Sequence, residues 1–294
     1  MSEHDLIYRP PAEANSLLIH TASGCTYAKC TFCNESLQSA AFRAEKIEDI
    51  LGEIHRLAQQ PENRAKKVAF LLGSNVLSAS TSRLQAILYE LRTYLPNITG
   101  VNMYARAEDV LHKGVEELSA LKAAGLEELY IGIESGCDAV LELCRKGVTA
   151  REQLAALQKL DGLGIAYSLS SILGLGGQAL WRQHAVETGE FYARTKPRTI
   201  RIMTLTPWPG TELFNQIQAG TFQMLTPLEV LREELVFIRH LEGCDTLLIA
   251  AHQSNTRPLA GRLPEDKAFL MQELEDAIIS SDPETLRPHV FSHM

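Results

Sequence analysis

Nowhere do the 294 residues hold the roughly twenty consecutive apolar positions that a membrane-spanning helix needs. The start, Met1-Ser-Glu-His-Asp5, has no basic segment followed by an apolar one, so a secretory signal is not expected. A run rich in Lys and Arg is also missing. The chain has 28 Lys and Arg against 36 Asp and Glu, a formal net charge of −8. That balance disfavours a face built for nucleic-acid phosphates. The six cysteines, without an export signal, point to a reducing cytoplasm and away from disulfides. No low-complexity stretch and no linker divides the chain. One domain over 1–294 is expected, and 45% hydrophobic residues suffice for one large core.

Short aliphatic runs alternate with longer amphipathic ones. Strands are expected at 17–21, 68–73, 100–105, 129–134, 165–173, 199–205 and 246–251. Helices are expected at 46–59, 80–94, 114–124, 139–145, 150–163, 178–195 and 226–242, with a last one near 265–280. Gly125, Gly162 and Gly164 fit helix stops before strands. This alternation implies βαβ units, a parallel sheet and an α/β fold, arranged as a partial or nearly closed barrel of the TIM type. Functional groups of such folds gather at the C-terminal strand ends.

Three cysteines fall within nine residues at the first strand end, in Cys25-x4-Cys30-x2-Cys33. Three thiolates can hold a 4Fe–4S cluster with one iron left open for a small molecule. A structural zinc site would want four ligands, usually in two pairs. Cys137, Cys144 and Cys244 form no second Cys-x-x-Cys, although His20 can complete a zinc set. Those three distant cysteines read most simply as small buried hydrophobes. Cys137, just after Glu134-Ser-Gly136, is alternatively a hydrogen-atom donor.

With these residues the chain resembles the radical S-adenosylmethionine (radical SAM) superfamily over about 16–209, with a Cys-x4-Cys-x2-Cys variant of its cluster motif and the aromatic Phe32 before the last cysteine. It is also similar to a sparsely characterised branch often labelled by analogy with oxygen-independent coproporphyrinogen oxidases, which carries a His-x-Ser-Asn segment like His252-Gln-Ser-Asn255. The resemblance implies a core barrel over about 16–210 that residues 211–294 complete. It implies that Cys25, Cys30 and Cys33 bind the cluster. Glu134, ending Leu129-Tyr-Ile-Gly-Ile-Glu134, is implied to accept from the ribose hydroxyls of S-adenosylmethionine. Lys146, twelve residues on, is implied to pair with the methionine carboxylate; a cation interacting with a helix C-terminus is the alternative. Gly73, Ser74 and Asn75 stand where the family meets the methionine amine, or they form an ordinary turn. Ser170, Leu173 and Thr206 fall in segments that in the family pack around the adenosine.

Tyr104, Arg106, His252 and Asn255 are candidate substrate contacts at strand ends. For Arg106 the alternative is an ion pair with Glu108 or Asp109, and for His252 and Asn255 a turn or a helix cap. The implied activity is reductive cleavage of S-adenosylmethionine to a 5′-deoxyadenosyl radical that takes hydrogen from a substrate. The missing cobalamin-binding segment and cysteine-rich C-terminal extension favour a small molecule. Flavodoxin or ferredoxin is the implied electron donor, and neither nucleic acid nor membrane is an expected partner. A non-catalytic iron–sulfur electron-transfer protein and a zinc-binding barrel are the competing readings.

Overall fold

The aliphatic runs fold into parallel strands separated by helices, as their alternation implies. The computed structural model describes residues 9–34 and 42–280. In chain order the strands are β1 (Leu17–His20), β2 (Ala22–Ser23), β3 (Arg43–Ala44), β4 (Val68–Leu72), β5 (Gly100–Ala105), β6 (Leu126–Glu134), β7 (Ala166–Leu173), β8 (Thr199–Thr204), β9 (Thr246–Ala250) and β10 (Leu259–Leu263). The helices are α1 (Ile47–Ala58), α2 (Thr81–Tyr94), α3 (Ala107–His112), α4 (Val115–Ala124), α5 (Asp138–Leu143), α6 (Ala150–Leu163), α7 (Gly177–Tyr192), α8 (Glu212–Gln218), α9 (Pro227–Arg239) and α10 (Lys267–Ser280). One eight-stranded sheet runs in the order β1-β4-β5-β6-β7-β8-β9-β10, parallel from β1 to β9. β2 and β3 form a separate antiparallel pair beside the cysteine loop.

Besides the β2–β3 pair, three features depart from the sequence-based expectation. β10 is a strand that the sequence reading did not place, and it runs antiparallel to β9. Its Leu259 and Leu263 are buried in the main core, and Gly261 lies against Asp266 and Leu270 of the last helical segment, so packing overrides the local signals. The short helices α3 and α8 were not legible as periodic runs. Gly162 lies inside α6, and Gly164 alone ends that helix.

The sheet is not closed by hydrogen bonds: β1 and β10 are its edges. On the β1 side the edge is covered, since the Glu53 carboxylate on α1 accepts from the His20 N–H at 3.3 Å. Strand alternation then sorts the side chains. Ile19, Ala69, Leu71, Met103, Leu129, Ile131, Ile133, Leu169, Ile200, Ile202 and Leu248 join the core beneath the helices. The opposite set turns into the barrel. Phe70, Leu72 and Tyr130 pack there with Leu18 and Tyr104, the aromatic rings edge-on at 5.3–6.1 Å. Glu13, in a 3-10 turn before β1, closes this plug by accepting from Tyr130 Oη at 2.7 Å and Asn102 Nδ2 at 2.8 Å. The plug fills part of the barrel interior, and the cysteine loop lies at the C-terminal end of β1.

Candidate active site

The cysteine loop leaves β1 and is pinned from four sides. The Thr26 N–H donates to Asn75 Oδ1 at 3.2 Å, and Asn75 Nδ2 donates back to Thr26 Oγ1 at 2.6 Å. Tyr27 Oη donates to the Arg145 carbonyl at 2.9 Å. The Thr31 N–H donates to the Cys144 carbonyl at 3.0 Å, and the Thr31 carbonyl accepts from the Leu213 N–H at 2.9 Å. The longer gap between Cys25 and Cys30 contains Ala28 at φ 47°, a left-handed turn. Cys25, Cys30 and Cys33 are all half-exposed, whereas Cys137, Cys144 and Cys244 are buried.

Glu134 ends β6 at φ 63°, where the register with β7 shifts. Its side chain folds back over Gly132: a Cβ there would stand 2.1 Å from Glu134 Oε1. Lys146 Nζ donates to Glu134 Oε1 at 3.0 Å, and both side chains are about nine-tenths buried. Burial works to lower the Lys146 pKa, but the Glu134 carboxylate, with Cys30, outweighs it and raises the net value. Lys146 is therefore a fixed cation. Cys30 lies within the same field: burial raises its thiol, while Lys146 and Arg106 pull it back down.

Arg106 braces the site. It pairs with Glu108, donates to the Lys146 carbonyl at 2.7 Å and lies 3.8 Å above the Tyr27 ring. The segment carrying Lys146 is thus clamped against the cysteine loop. Gly147 (φ 78°) permits the approach, since a Cβ there would stand 2.3 Å from Tyr27 Oη.

The structure brings together Cys25, Cys30, Cys33, Glu134, Lys146, Asn75 and Arg106. Arg106 is engaged by a carbonyl, a ring and the ion pair with Glu108 that was the alternative to substrate contact. Asn75 is likewise committed to the loop and to Asp109, at 3.3 and 3.4 Å, so its amide does not face outward as a free acceptor. Gly73 and Ser74 lead from β4 into the turn Val76–Ser78. Leu173 is 3% exposed, with its side chain in the core beneath the helices. Ser170 faces the interior and Thr206 follows β8, both half-buried. Tyr104 belongs to the aromatic plug. Asn255 donates to the Ile202 and Ala250 carbonyls at 2.9 and 2.7 Å and accepts from Thr204 Oγ1 at 3.2 Å, which makes it the tie between β8 and β9. His252 stays half-buried above that tie.

Cys137, Cys144 and Cys244 are pushed up to about 11, 12 and 11 by burial. They are inert thiols packed among apolar residues, and Cys137, read alternatively as a hydrogen-atom donor, has no exposed surface. Sequence reasoning missed Tyr27 and Gly147, whose contact joins the cysteine loop to a distant segment, and Gly132, which lies under Glu134 two residues on. The only local signal was the extra residue in the cysteine spacing.

The loop fits a cluster better than a single ion. Among the described residues, no three His, Cys, Asp or Glu side chains converge as the ligands of one metal ion. The His20 ring faces Glu45 at 3.7 Å and Ser23 at 3.4 Å, not the thiols. A cubane takes each thiolate at a different iron, so its ligands need not meet at one point. Thr31 Oγ1, between the second and third cysteines, is buried without a hydrogen-bond partner among the described residues.

Comparison with known proteins agrees with this geometry. Residues 19–188 match the family model of the radical SAM superfamily. An uncharacterized methyltransferase of Pyrococcus horikoshii is 26% identical over 199 residues, 67% of this chain and 41% of the relative. A tRNA-2-methylthio-N(6)-dimethylallyladenosine synthase of Sulfurihydrogenibium is 23% identical, covering 83% of this chain and 57% of the relative. The chain thus spans about two-fifths to three-fifths of the length of these curated relatives. In fold it is similar to TsrM, a radical SAM methyltransferase of Kitasatospora setae whose structure holds cobalamin and a [4Fe–4S] cluster (TM-score 0.58, 17% identity, 70% of this chain and 39% of that one). Methylornithine synthase is similar over 88% of this chain and 68% of its own (TM-score 0.57, 14% identity). Since the family model covers more than half of the chain, and a three-cysteine loop crowns the C-terminal ends of a parallel α/β sheet, the chain belongs to the radical SAM superfamily, whose members bind a 4Fe–4S cluster and S-adenosylmethionine.

Proposed function

We propose that this chain is a radical SAM enzyme with a small-molecule substrate, with Cys25, Cys30 and Cys33 as its cluster ligands. The observation that carries the reading is the buried Glu134–Lys146 pair clamped onto the cysteine loop by Tyr27 and Arg106. When bound and reduced, the cluster supplies the electron that splits the sulfonium of S-adenosylmethionine into methionine and a 5′-deoxyadenosyl radical able to take hydrogen from an unactivated carbon. The chain's own residues bind, orient and exclude water. Glu134 accepts from the ribose hydroxyls. Lys146, charged despite its burial, pairs with the methionine carboxylate. Ser170 and Thr206 flank the adenosine. Tyr27 and Arg106 hold the loop and the Lys146 segment at a fixed separation. A flavodoxin or ferredoxin is the electron donor this reading implies, in a reducing cytoplasm.

The test is anaerobic reconstitution with iron and sulfide, then dithionite and S-adenosylmethionine, with 5′-deoxyadenosine followed by mass spectrometry. Wild type is expected to form it and Cys30→Ala to form none. A well-formed cluster without cleavage would favour the electron-transfer reading. Zinc in anaerobically purified protein would favour the zinc barrel.

A further inference from the structure

Ile200 and Ile202 of β8 are fully buried beneath the helices, so strand alternation turns Arg201 to the barrel interior. It is half-buried there, opposite Ser170 of β7 and Ile249 of β9. Ser170 is in turn opposite Gly132, the residue over which Glu134 folds. Arg201 therefore stands in the same interior row as the floor of the Glu134 site. At about 3.3 Å per residue it lies roughly 10 Å inside the C-terminal end of β8, which is Thr204.

Other charged side chains of the barrel interior are matched. Glu134 has Lys146, Arg106 has Glu108, Glu13 has Tyr130 and Asn102, and Glu128 has Ser168 and Arg198. Among the described residues Arg201 makes no ion pair and no side-chain hydrogen bond. A partly desolvated cation without a counter-charge is unfavourable, and an anionic ligand relieves the cost.

His252 stands within the field of Arg201. Its Nδ1 accepts from the Ser254 N–H at 3.2 Å and lies 2.7 Å from Ser254 Oγ. A backbone N–H can only donate, so the ring proton of neutral His252 sits on Nε2. Burial, then Arg201, lowers the His252 pKa, which keeps the ring neutral near pH 7. Ser254 Oγ accepts from the Thr204 N–H at 3.0 Å, so the imidazole rests on a fixed base.

We propose that Arg201, with His252 Nε2–H and the Ser170 hydroxyl, is the anion-recognition subsite for the substrate, which carries a carboxylate or phosphate group docked inside the barrel against β8. The subsite rests on the reading of the chain as a radical SAM enzyme. A guanidinium fork suits two oxygens of one anion and fixes its orientation, which a radical reaction needs so that one carbon faces the abstracting group.

The test is isothermal titration of the full chain with inorganic phosphate and, separately, with succinate at low ionic strength. One of them is expected to bind in the millimolar range. The preferred probe tells phosphate from carboxylate. Arg201→Gln, checked for folding by circular dichroism, should weaken that binding at least tenfold, and Arg201→Lys should retain part of it. His252→Phe should weaken it severalfold and serves as the deciding variant if Arg201→Gln does not fold. Wild type that binds neither probe overturns the proposal, as does undiminished binding in whichever deciding variant folds. Phosphate or succinate binding that persists while S-adenosylmethionine binding is lost in Arg201→Gln would assign Arg201 to the methionine carboxylate and also overturn it. Deoxyadenosine formation by wild type is a separate readout, so a failure of the enzymatic reading is told apart from a failure of anion binding at Arg201.

Discussion

Lys146 gives up its water on folding and keeps its charge because Glu134 lies 3.0 Å away. A pair this buried is costly to break on one side, since the remaining charge has neither water nor partner. Lys146→Met is therefore expected to lower stability by about 3–5 kcal/mol in urea unfolding, and Glu134→Gln/Lys146→Met to recover part of the loss. A single-variant cost under about 1 kcal/mol would mean that water reaches the pair, as at an exposed ion pair. Cys25, Cys30 and Cys33 stood out in the sequence as candidates through residue type and short spacing, and Glu134 and Lys146 only through the family resemblance. Arg106 and Asn75 were legible as polar residues at strand ends, but not as braces. Their partners, Lys146 and Thr26, lie 40 and 49 positions away, and no local pattern encodes those contacts.

Helix α9 steadies the segment that follows β7. Glu233 accepts from the Gly174 N–H at 2.6 Å and lies 3.0 Å from His184 Nδ1 on α7, with no exposed surface. Its neighbour Glu234 is also buried, with Oε1 lacking a hydrogen-bond partner among the described residues. Burial, then the Glu233 charge, pushes Glu234 up to about 8. The folded chain thus binds a proton that the unfolded chain releases near its ordinary value of about 4.3. The stabilisation is complete below that value and is lost as pH rises toward 8. Thermal midpoints are expected to fall between pH 5 and 8 in wild type and to fall less in Glu234→Gln. Equal slopes would place Glu234 in contact with water. At this scale the strands were mostly legible, because short aliphatic runs alternating with longer amphipathic ones are a strong pattern. β10 was not, since a glycine and flanking prolines interrupt its short run and its order comes from packing against Asp266 and Leu270. The acids of α9 look ordinary in an amphipathic run, and only the folded packing shows that Glu233 and Glu234 are buried.

For the whole molecule, the balance and placement of charge bear on substrate size. The tRNA methylthiolating synthases are relatives of this chain over 60–83% of its length, and it spans 38–57% of theirs. A polynucleotide is held largely by cations facing its phosphates, and the affinity they supply falls steeply with salt. Here acids outnumber Lys and Arg by eight. Of the cations near the site, Lys146 is paired inside the barrel, Arg106 is bound to Glu108 and a carbonyl, and Arg201 faces inward beside His252. An inward-facing cation suits a ligand small enough to enter a barrel, not the outer surface of a folded RNA. Mixed with bulk tRNA at 50 mM salt, the chain is therefore expected to give no retarded complex at up to about 100 µM, near the weak limit of non-specific binding. A complex below about 10 µM that weakens steeply between 50 and 200 mM salt would show a phosphate-binding face. That outcome would move the substrate toward the RNA class of those relatives, and the absence of a complex leaves the barrel interior, with Arg201 at its wall, as the place to look for a small anionic substrate.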